Sequence, residues 1–376
     1  MIKNFRELLD DRRRIEAFRG AISEVVDSSV SVAEIGSALG TYSFFAAQAG
    51  AKSVYAIEMA DIYYVGKQIA KDNDLSDKIK FFHKKSTEVE LPERVDFIIM
   101  EDYCPIFFFK GIEKVLVDAR TRFLKENGRF IPNTIILKIA PVQCPKLYKS
   151  LNLWDKEQDE LFGVNWEYTT DLIFSQSHYA ENFPKNLLAE ESIIKEFDLS
   201  KDSNFPYKFS NEFEISEKGT IHGLLCWWDC WFTPSRFFSN SPNEPSNTWG
   251  QMMFPFRYPV NVKKGDRILA GLQCFESKYS GEIDYKWSIE HKSSVQEQNT
   301  FQGNILPLSK MKYFDKTHEP RLNLNGEATK YLLGQIDEKI TVEELAKRMV
   351  ERFPKQFSDI NDGYSRIHEI INRFVQ

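Results

Sequence analysis

Two carboxylates close short apolar runs in the first third of the chain, each where a ligand could be gripped. Glu58 ends the β-prone run Ser53 to Ile57, and Glu101 follows Val95 to Met100. Ahead of them, Val32 to Ile35 is a short apolar strand, Gly36-Ser37-Ala38-Leu39-Gly40 a turn of small residues, and Tyr42 to Ala49 a helical apolar face. A glycine turn lets the backbone approach a ligand, a helix N-terminus offers free N–H groups, and an acid after the second strand can accept both hydroxyls of a ribose. That is the chemistry of half a doubly wound nucleotide site. An ordinary βαβ unit, whose glycines only make a turn, remains the alternative for this stretch taken alone.

The elements that must position these groups divide into three parts. Residues 1–133 alternate helix and strand, with strands expected at Val32–Ile35, Val54–Ile57, Ile79–Phe82, Val95–Met100 and Gly128–Ile131, until Pro132-Asn133 breaks the pattern. Residues 134–310 turn to short alternating strands with Gly, Pro and Asn turns, a β-barrel-like pattern. An aromatic, acidic insertion near residues 148–185 interrupts it early. Residues 321–376 form a third, small domain. At 376 residues the chain can bury two or three cores. Apolar content of 42%, charged content of 28% and a net charge of −6 describe a mildly acidic globular protein and argue against broad nucleic-acid binding, which needs a basic face. No apolar run is long enough to span a bilayer and MIKNFRELLDD lacks a signal-peptide core, so a cytoplasmic location is expected. Five cysteines, an odd number, fit a reducing compartment. Cys226 and Cys230 share a strand face without completing a metal site, and both read as buried thiols.

The flanks of the glycine turn are specific in order and spacing. Upstream runs Leu8-Leu9-x-Asp11-x-x-Arg14-x-x-x-Phe18-x-x-Ala21-Ile22, and much later Asn240-Ser241-Pro242 leads to Asn247-Thr248-Trp249-x-Gln251-x-x-Phe254. With acids after the second and fourth strands, the chain resembles class I S-adenosylmethionine methyltransferases over roughly residues 1–290. Within them it resembles the protein arginine methyltransferases, through the segments "MLxDxxRxxxYxxAI" and "TSPxxxxTHWxQxxF". The resemblance implies S-adenosylmethionine as cofactor. It gives Arg14 to the methionine carboxylate, Glu34 to ordering the turn, Gly36, Ser37 and Gly40 to its lining, Glu58 to the ribose, and Ser86 and Thr87 to adenine. Arg12, Arg13 and Arg14 can each be a solvated helix charge; register against Asp11 and Phe18 selects Arg14. Ala38 replaces the family's middle glycine, which is tolerable only with φ below zero. The insertion corresponds to an arm that grips a second subunit, so a homodimer is expected, with a local subdomain as the alternative.

The acceptor region departs from that family. Its hairpin loop carries two glutamates aimed at a guanidinium; here Glu101 matches the first, Lys110 stands at the second, and the nearest acid is Glu113. Thr248 replaces the histidine before Trp249, and no counterpart of the "YFxxY" helix is expected ahead of Leu8. A cation beside a guanidinium opposes binding. The same methyl donor with a changed acceptor is therefore expected: Glu101 can orient or deprotonate an amine, imidazole, amide or alcohol, and Lys110 can pair with a carboxylate. Asp102 reads as a loop charge, with an acid pair beside Glu101 as the alternative, and His222 as a satisfied core or interface histidine.

The C-terminal segment has its own pattern. A leading strand (Leu322, Leu324) meets a turn at Asn325-Gly326, then a helix carries Ala328, Tyr331, Leu332 and Ile336. Thr341 with Glu344 makes a capping box before Leu345 and Met349, and Asp359 or Asn361 opens a helix with Ile367, Ile370, Ile371 and Phe374. "LNxxGxxxxxLL" and "TVEELAxxxxxRFP" resemble the peptide chaperone of pyrroloquinoline quinone biosynthesis, the RiPP recognition element. A winged helix with another partner, or a dimerisation cap, is the alternative. The expected fold is thus α/β: a doubly wound Rossmann-like methyltransferase domain, a β-barrel-like domain and a small winged-helix-like domain. The expected function is S-adenosylmethionine-dependent methylation of a peptide or protein, with a ribosomally made precursor captured by residues 321–376. An arginine methyltransferase with Glu113 as second glutamate, and a catalytically degenerate binding or assembly protein, are the competing readings. No membrane or nucleic-acid partner is expected.

Overall fold

The computed structural model describes residues 2–107, 111–152, 162–202, 204, 206–277, 282–305, 317–336 and 339–374. Two compact units divide the chain at Ile305/Leu306.

The first unit opens with α1 (Ile2–Asp10) and α2 (Arg12–Val25). Asp11 starts α2 as its N-cap, accepting the Arg14 backbone N–H at 3.1 Å. Then come β1 (Ser31–Ile35), α3 (Thr41–Gln48), β2 (Ser53–Glu58), α4 (Ile62–Asp72), β3 (Ile79–His83), β4 (Val95–Met100), α5 (Ile112–Phe123) and β5 (Leu124–Ile131). The five strands form one parallel sheet in the order β3-β2-β1-β4-β5. All five residues of β1 are buried, as a central parallel strand covered on both faces requires. Because β2 and β4 flank β1, the chain reverses its winding there, and the crevice at the strands' carboxyl ends is where doubly wound sheets bind ligands.

A larger antiparallel system follows. β6 (Thr134–Gln143) pairs with β11 (Gly219–Thr233), which pairs with β13 (Met252–Val262) and β12 (Arg236–Ser239). β7 (His178–Tyr179) extends β13, while β8 (Asn186–Leu187) and β9 (Ser192–Asp198) pair with β6. A second sheet orders β10 (Tyr207–Glu214), β14 (Arg267–Glu276), β15 (Ile283–His291) and β16 (Ser294–Asn299). This is the expected β-barrel-like domain.

β11 shows how sequence becomes architecture. Its even positions, Leu224, Cys226, Trp228, Cys230 and Phe232, enter the main core, while Leu225 and Trp227 enter a second cluster with Leu147, Leu151 and Phe174. The period of two sends alternate side chains to opposite faces, and here both faces are covered. The second cluster belongs to α6 (Pro145–Leu151) and α7 (Glu167–Phe174) of the expected arm, whose residues 153–161 lie outside the described residues. Phe162 and Tyr168 remain 85% and 74% exposed. Cys226 and Cys230 are buried free thiols, and no metal-holding group occurs among the described residues.

The second unit holds α8 (Leu324–Gln335), α9 (Val342–Arg352) and α10 (Ile360–Phe374) around Ala328, Leu332, Leu345, Met349, Ile367 and Ile370. The Thr341 hydroxyl accepts the Glu344 N–H at 3.2 Å, the expected cap, and Asp359 accepts the N–H groups of Asn361 and Asp362. The leading strand is corrected. Asn323 accepts the Gly326 N–H at 2.8 Å and starts a helix at Leu324, so Asn325-Gly326 is a first helical turn and not a strand-ending turn. An Asn N-cap satisfies an orphan N–H that a strand would leave for a neighbour. Ile367 and Ile370 fill the unit's own core, leaving Phe374 exposed.

Candidate functional site

The glycine turn carries more strain than its sequence suggested. Gly36, Ala38 and Gly40 all have left-handed backbones, with φ of +71°, +47° and +84°. The expected negative φ at Ala38 is therefore overturned. A residue with a Cβ held there costs about 1–2 kcal/mol. Glu58 holds the turn in place: its carboxylate accepts the Ala38 N–H at 2.9 Å and the Ala60 N–H at 2.7 Å, tying the turn to the end of β2. Glu34 works from the other side. Its Oε2 accepts the N–H and hydroxyl of Ser43 at 2.6 and 2.5 Å, and the Tyr42 N–H also bonds to it. The first turn of α3 thus spends two of its N–H groups on a buried strand residue instead of offering them to a ligand.

Arg14 and Glu101 meet. The Arg14 guanidinium, 1% exposed, donates through Nη1 to Glu101 Oε1 and through Nη2 to the Leu8 carbonyl, and lies over the Trp249 ring at 5.6 Å. The α2 motif and the acid after β4 therefore form one ion pair at the carboxyl edge of the sheet. Thr248 reaches Asp11, the N-cap of α2. Its N–H and hydroxyl donate to Asp11 Oδ2 at 2.8 and 2.9 Å. Trp249 is buried against Trp228, Phe238 and Phe18, and Trp228 Nε1 donates to the Cys104 carbonyl at 3.0 Å, fixing the loop after Glu101.

Other expected site residues are scattered. Glu113 sits in the first turn of α5 and acts on Lys195 of β9; no hydrogen bond or ion pair among the described residues joins it to Glu101 or Arg14. Lys110 lies outside the described residues. Ser86 and Thr87 form a short 3-10 turn, with the Ser86 carbonyl held by Arg122 at 2.7 Å and Thr87 exposed. His222 is a core residue: its Nδ1 accepts the Cys144 N–H at 3.2 Å, and burial lowers its pKa. Three participants were not singled out from the sequence as site residues: Asp11, Trp228 and Tyr42. Asp11 stood in the α2 motif and marked register only. Trp228 and Tyr42 carry no motif signal.

Residues 134–294 match the family described as the arginine methyltransferase oligomerization subdomain. A probable protein arginine N-methyltransferase 6 of Arabidopsis thaliana is 26% identical over 77% of this chain and 78% of its own length. The histone-arginine methyltransferase CARMER of Anopheles gambiae is 31% identical over 68% of this chain but only 43% of its own. The chain is an arginine-methyltransferase-like class I methyltransferase. Its fold matches that of a Trypanosoma brucei PRMT1 enzyme-prozyme complex with AdoHcy, at TM-score 0.70 and 21% identity over 78% of this chain and 96% of that one. It likewise matches Arabidopsis thaliana protein arginine methyltransferase 10, at TM-score 0.68 and 22% identity over 80% and 98%.

In this methyltransferase Glu34, Glu101 and Asp102 are held above the usual carboxylate range. Burial raises Glu101 to about 7, against the Arg14 charge that lowers it. Partial burial and then the Glu58 charge raise Asp102. Burial pushes Glu34 up to about 8, opposed by its bonds from Ser43. A folded-state pKa above the unfolded value means that folding takes up a proton. Glu34 therefore erodes stability as pH rises from about 4.5 to about 8, by about 1.4 kcal/mol per pH unit at most. Glu34→Gln keeps an acceptor for Ser43 and removes the titration. It should melt higher than the parent at pH 8.5, with the gap closing toward pH 4.5, as melting curves across pH will show. An equal gap at both ends would assign the effect to packing.

Proposed function

We propose that this methyltransferase carries a methyl group from S-adenosylmethionine to a peptide or protein whose acceptor atom lies against Glu101. The Arg14–Glu101 pair carries the reading, because it joins the residue matched to the cofactor carboxylate with the residue matched to the acceptor. The buried Arg14 Nε and Ser37 Oγ have no hydrogen-bond partner, which fits a polar ligand at the turn. Arg14 would hold the methionine carboxylate, Glu58 the ribose diol, Gly36, Ser37 and Gly40 the turn's ligand face, and Ser86 and Thr87 the adenine. When bound, the cofactor supplies a sulfonium-activated methyl carbon. Glu101 orients the acceptor's lone pair and takes its proton, so that methylated product and S-adenosylhomocysteine result. Thr248 and Trp249 brace the wall, through Asp11 and against Arg14.

The relatives' names point to arginine. Lys110 in the place of the second glutamate and Thr248 in the place of the histidine support a changed acceptor. In the finer reading, the acceptor belongs to a ribosomally made precursor peptide captured by residues 321–376. This is supported by that segment's self-contained three-helix core and its resemblance to peptide-recognition elements. The exposed Phe162 and Tyr168 of the arm support a homodimer.

Glu58→Ala tests the cofactor assignment. Loss of charge-assisted ribose hydrogen bonds should weaken S-adenosylhomocysteine by roughly 1.5–3 kcal/mol, about 10- to 150-fold in Kd. Unchanged affinity by calorimetry would sink it.

A further inference from the structure

Arg122 ties two segments of the first unit together. It stands in the last turn of α5, four residues after Asp118, so the two side chains share a face of the helix. Asp118 grips it at two points: Arg122 Nε donates to Oδ1 at 2.8 Å and Nη2 to Oδ2 at 2.6 Å. Both side chains are 27% exposed, and a two-point pair of this kind keeps its geometry where a single-point surface pair does not. The guanidinium held in this way reaches the segment after β3. Nη1 donates to the Val89 carbonyl at 2.5 Å, and Nη2 donates to the Ser86 carbonyl at 2.7 Å.

Those two carbonyls bracket the 3-10 turn Ser86–Glu88. A three-residue turn of this type is a weak element by itself. No side chain caps it, and its own bonds are Glu88 N–H to the Lys85 carbonyl at 2.9 Å and Val89 N–H to the Ser86 carbonyl at 3.3 Å. Val89 is buried in the main core and anchors the far end by packing. Ser86 and Thr87 lack such an anchor, since neither is buried. Among the described residues, the bond from Arg122 is the one hydrogen bond by which another element holds Ser86, Thr87 or Glu88.

We propose that Arg122 is a positioning residue for the cofactor's base. By holding both ends of the Ser86–Glu88 turn it sets where Ser86 and Thr87 meet the adenine edge, and so how well the protein tells adenine from another purine. This rests on the cofactor reading above, which gives Ser86 and Thr87 to adenine. Arg122 acts through the turn and not on the ligand, because its bonds go to carbonyls and to Asp118. Selection by hydrogen bonding depends on such fixed partners, since a mismatched edge then leaves polar groups unpaired.

The test titrates the full chain by calorimetry with S-adenosylhomocysteine and with S-inosylhomocysteine, which differ only at the base edge. The inosine ligand exchanges the exocyclic amino donor for an oxo acceptor and the adjacent ring-nitrogen acceptor for a donor. The parent should prefer the adenine ligand. Arg122→Gln should lower that preference about fivefold or more, weakening S-adenosylhomocysteine while S-inosylhomocysteine stays within about twofold. Arg122→Lys keeps the charge as a single point donor and should fall between the parent and Arg122→Gln. Glu58→Ala is the control at the ribose, expected to weaken both ligands alike. Asp118→Asn frees the guanidinium without removing it and carries the test should Arg122→Gln fail to fold: a lowered preference supports the proposal and an unchanged one overturns it. Equal losses of both ligands in Arg122→Gln make Arg122 a structural brace, and unchanged Kd values remove it from the site; either overturns the proposal. A parent that binds both ligands equally also overturns it while the cofactor reading stands. A parent that binds neither sinks the cofactor reading and the proposal together.

Discussion

Glu101→Gln should lower turnover by about 100- to 10,000-fold, the usual range for losing a positioned proton acceptor, while S-adenosylhomocysteine affinity stays within a few-fold of the parent. The substitution keeps the side chain's shape and an oxygen for Arg14 to donate to, so the loss isolates charge. Because burial lifts Glu101 to about 7 against the pull of Arg14, the ionised acceptor form is half populated near neutrality. Parental kcat/KM should therefore fall by about tenfold per pH unit well below 7 and level off above about 8. The Gln variant should lose that limb. Parental turnover in Glu101→Gln on a peptide substrate would make Glu101 a structural counter-charge for Arg14.

Deleting residues 321–376 should raise the apparent KM for a full-length precursor peptide by about 100-fold or more, with kcat on a short core peptide and the cofactor Kd unchanged. Tethering a substrate replaces a bimolecular encounter by an intramolecular one at roughly millimolar effective concentration, a gain of 10²–10⁴ without any new contact at the chemistry. The cofactor is spared because every residue assigned to it lies within Met1–Ile305. No strand occurs among the described residues of the second unit, so the Leu322–Asn325 edge is a helix start, and an amphipathic helical face is what the unit presents. Unchanged KM on precursor would remove the segment from substrate capture and leave a dimer cap or assembly role.

Local sequence determined the local elements. The strand, glycine turn and helix around Gly36, the acid at Glu58, the Asp11 register that selects Arg14 and the Thr341 cap are all set within a few residues of chain. Side-chain period and capping chemistry act at that range. What joins distant segments was decided only by tertiary structure. Arg14 meets Glu101 across 87 positions, and Thr248 meets Asp11 across 237. Lone residues such as Trp228, whose Nε1 donates to the Cys104 carbonyl, acquire a contact only once distant segments surround them. The two readings that the structure overturned, at Ala38 and at the leading strand, have local causes of their own. Ala38 takes a positive φ because Glu58, twenty positions on, holds its N–H. Leu322 and Leu324 alternate as a strand would, but an Asn cap three residues before a free N–H outweighs two apolar residues with no sheet to join.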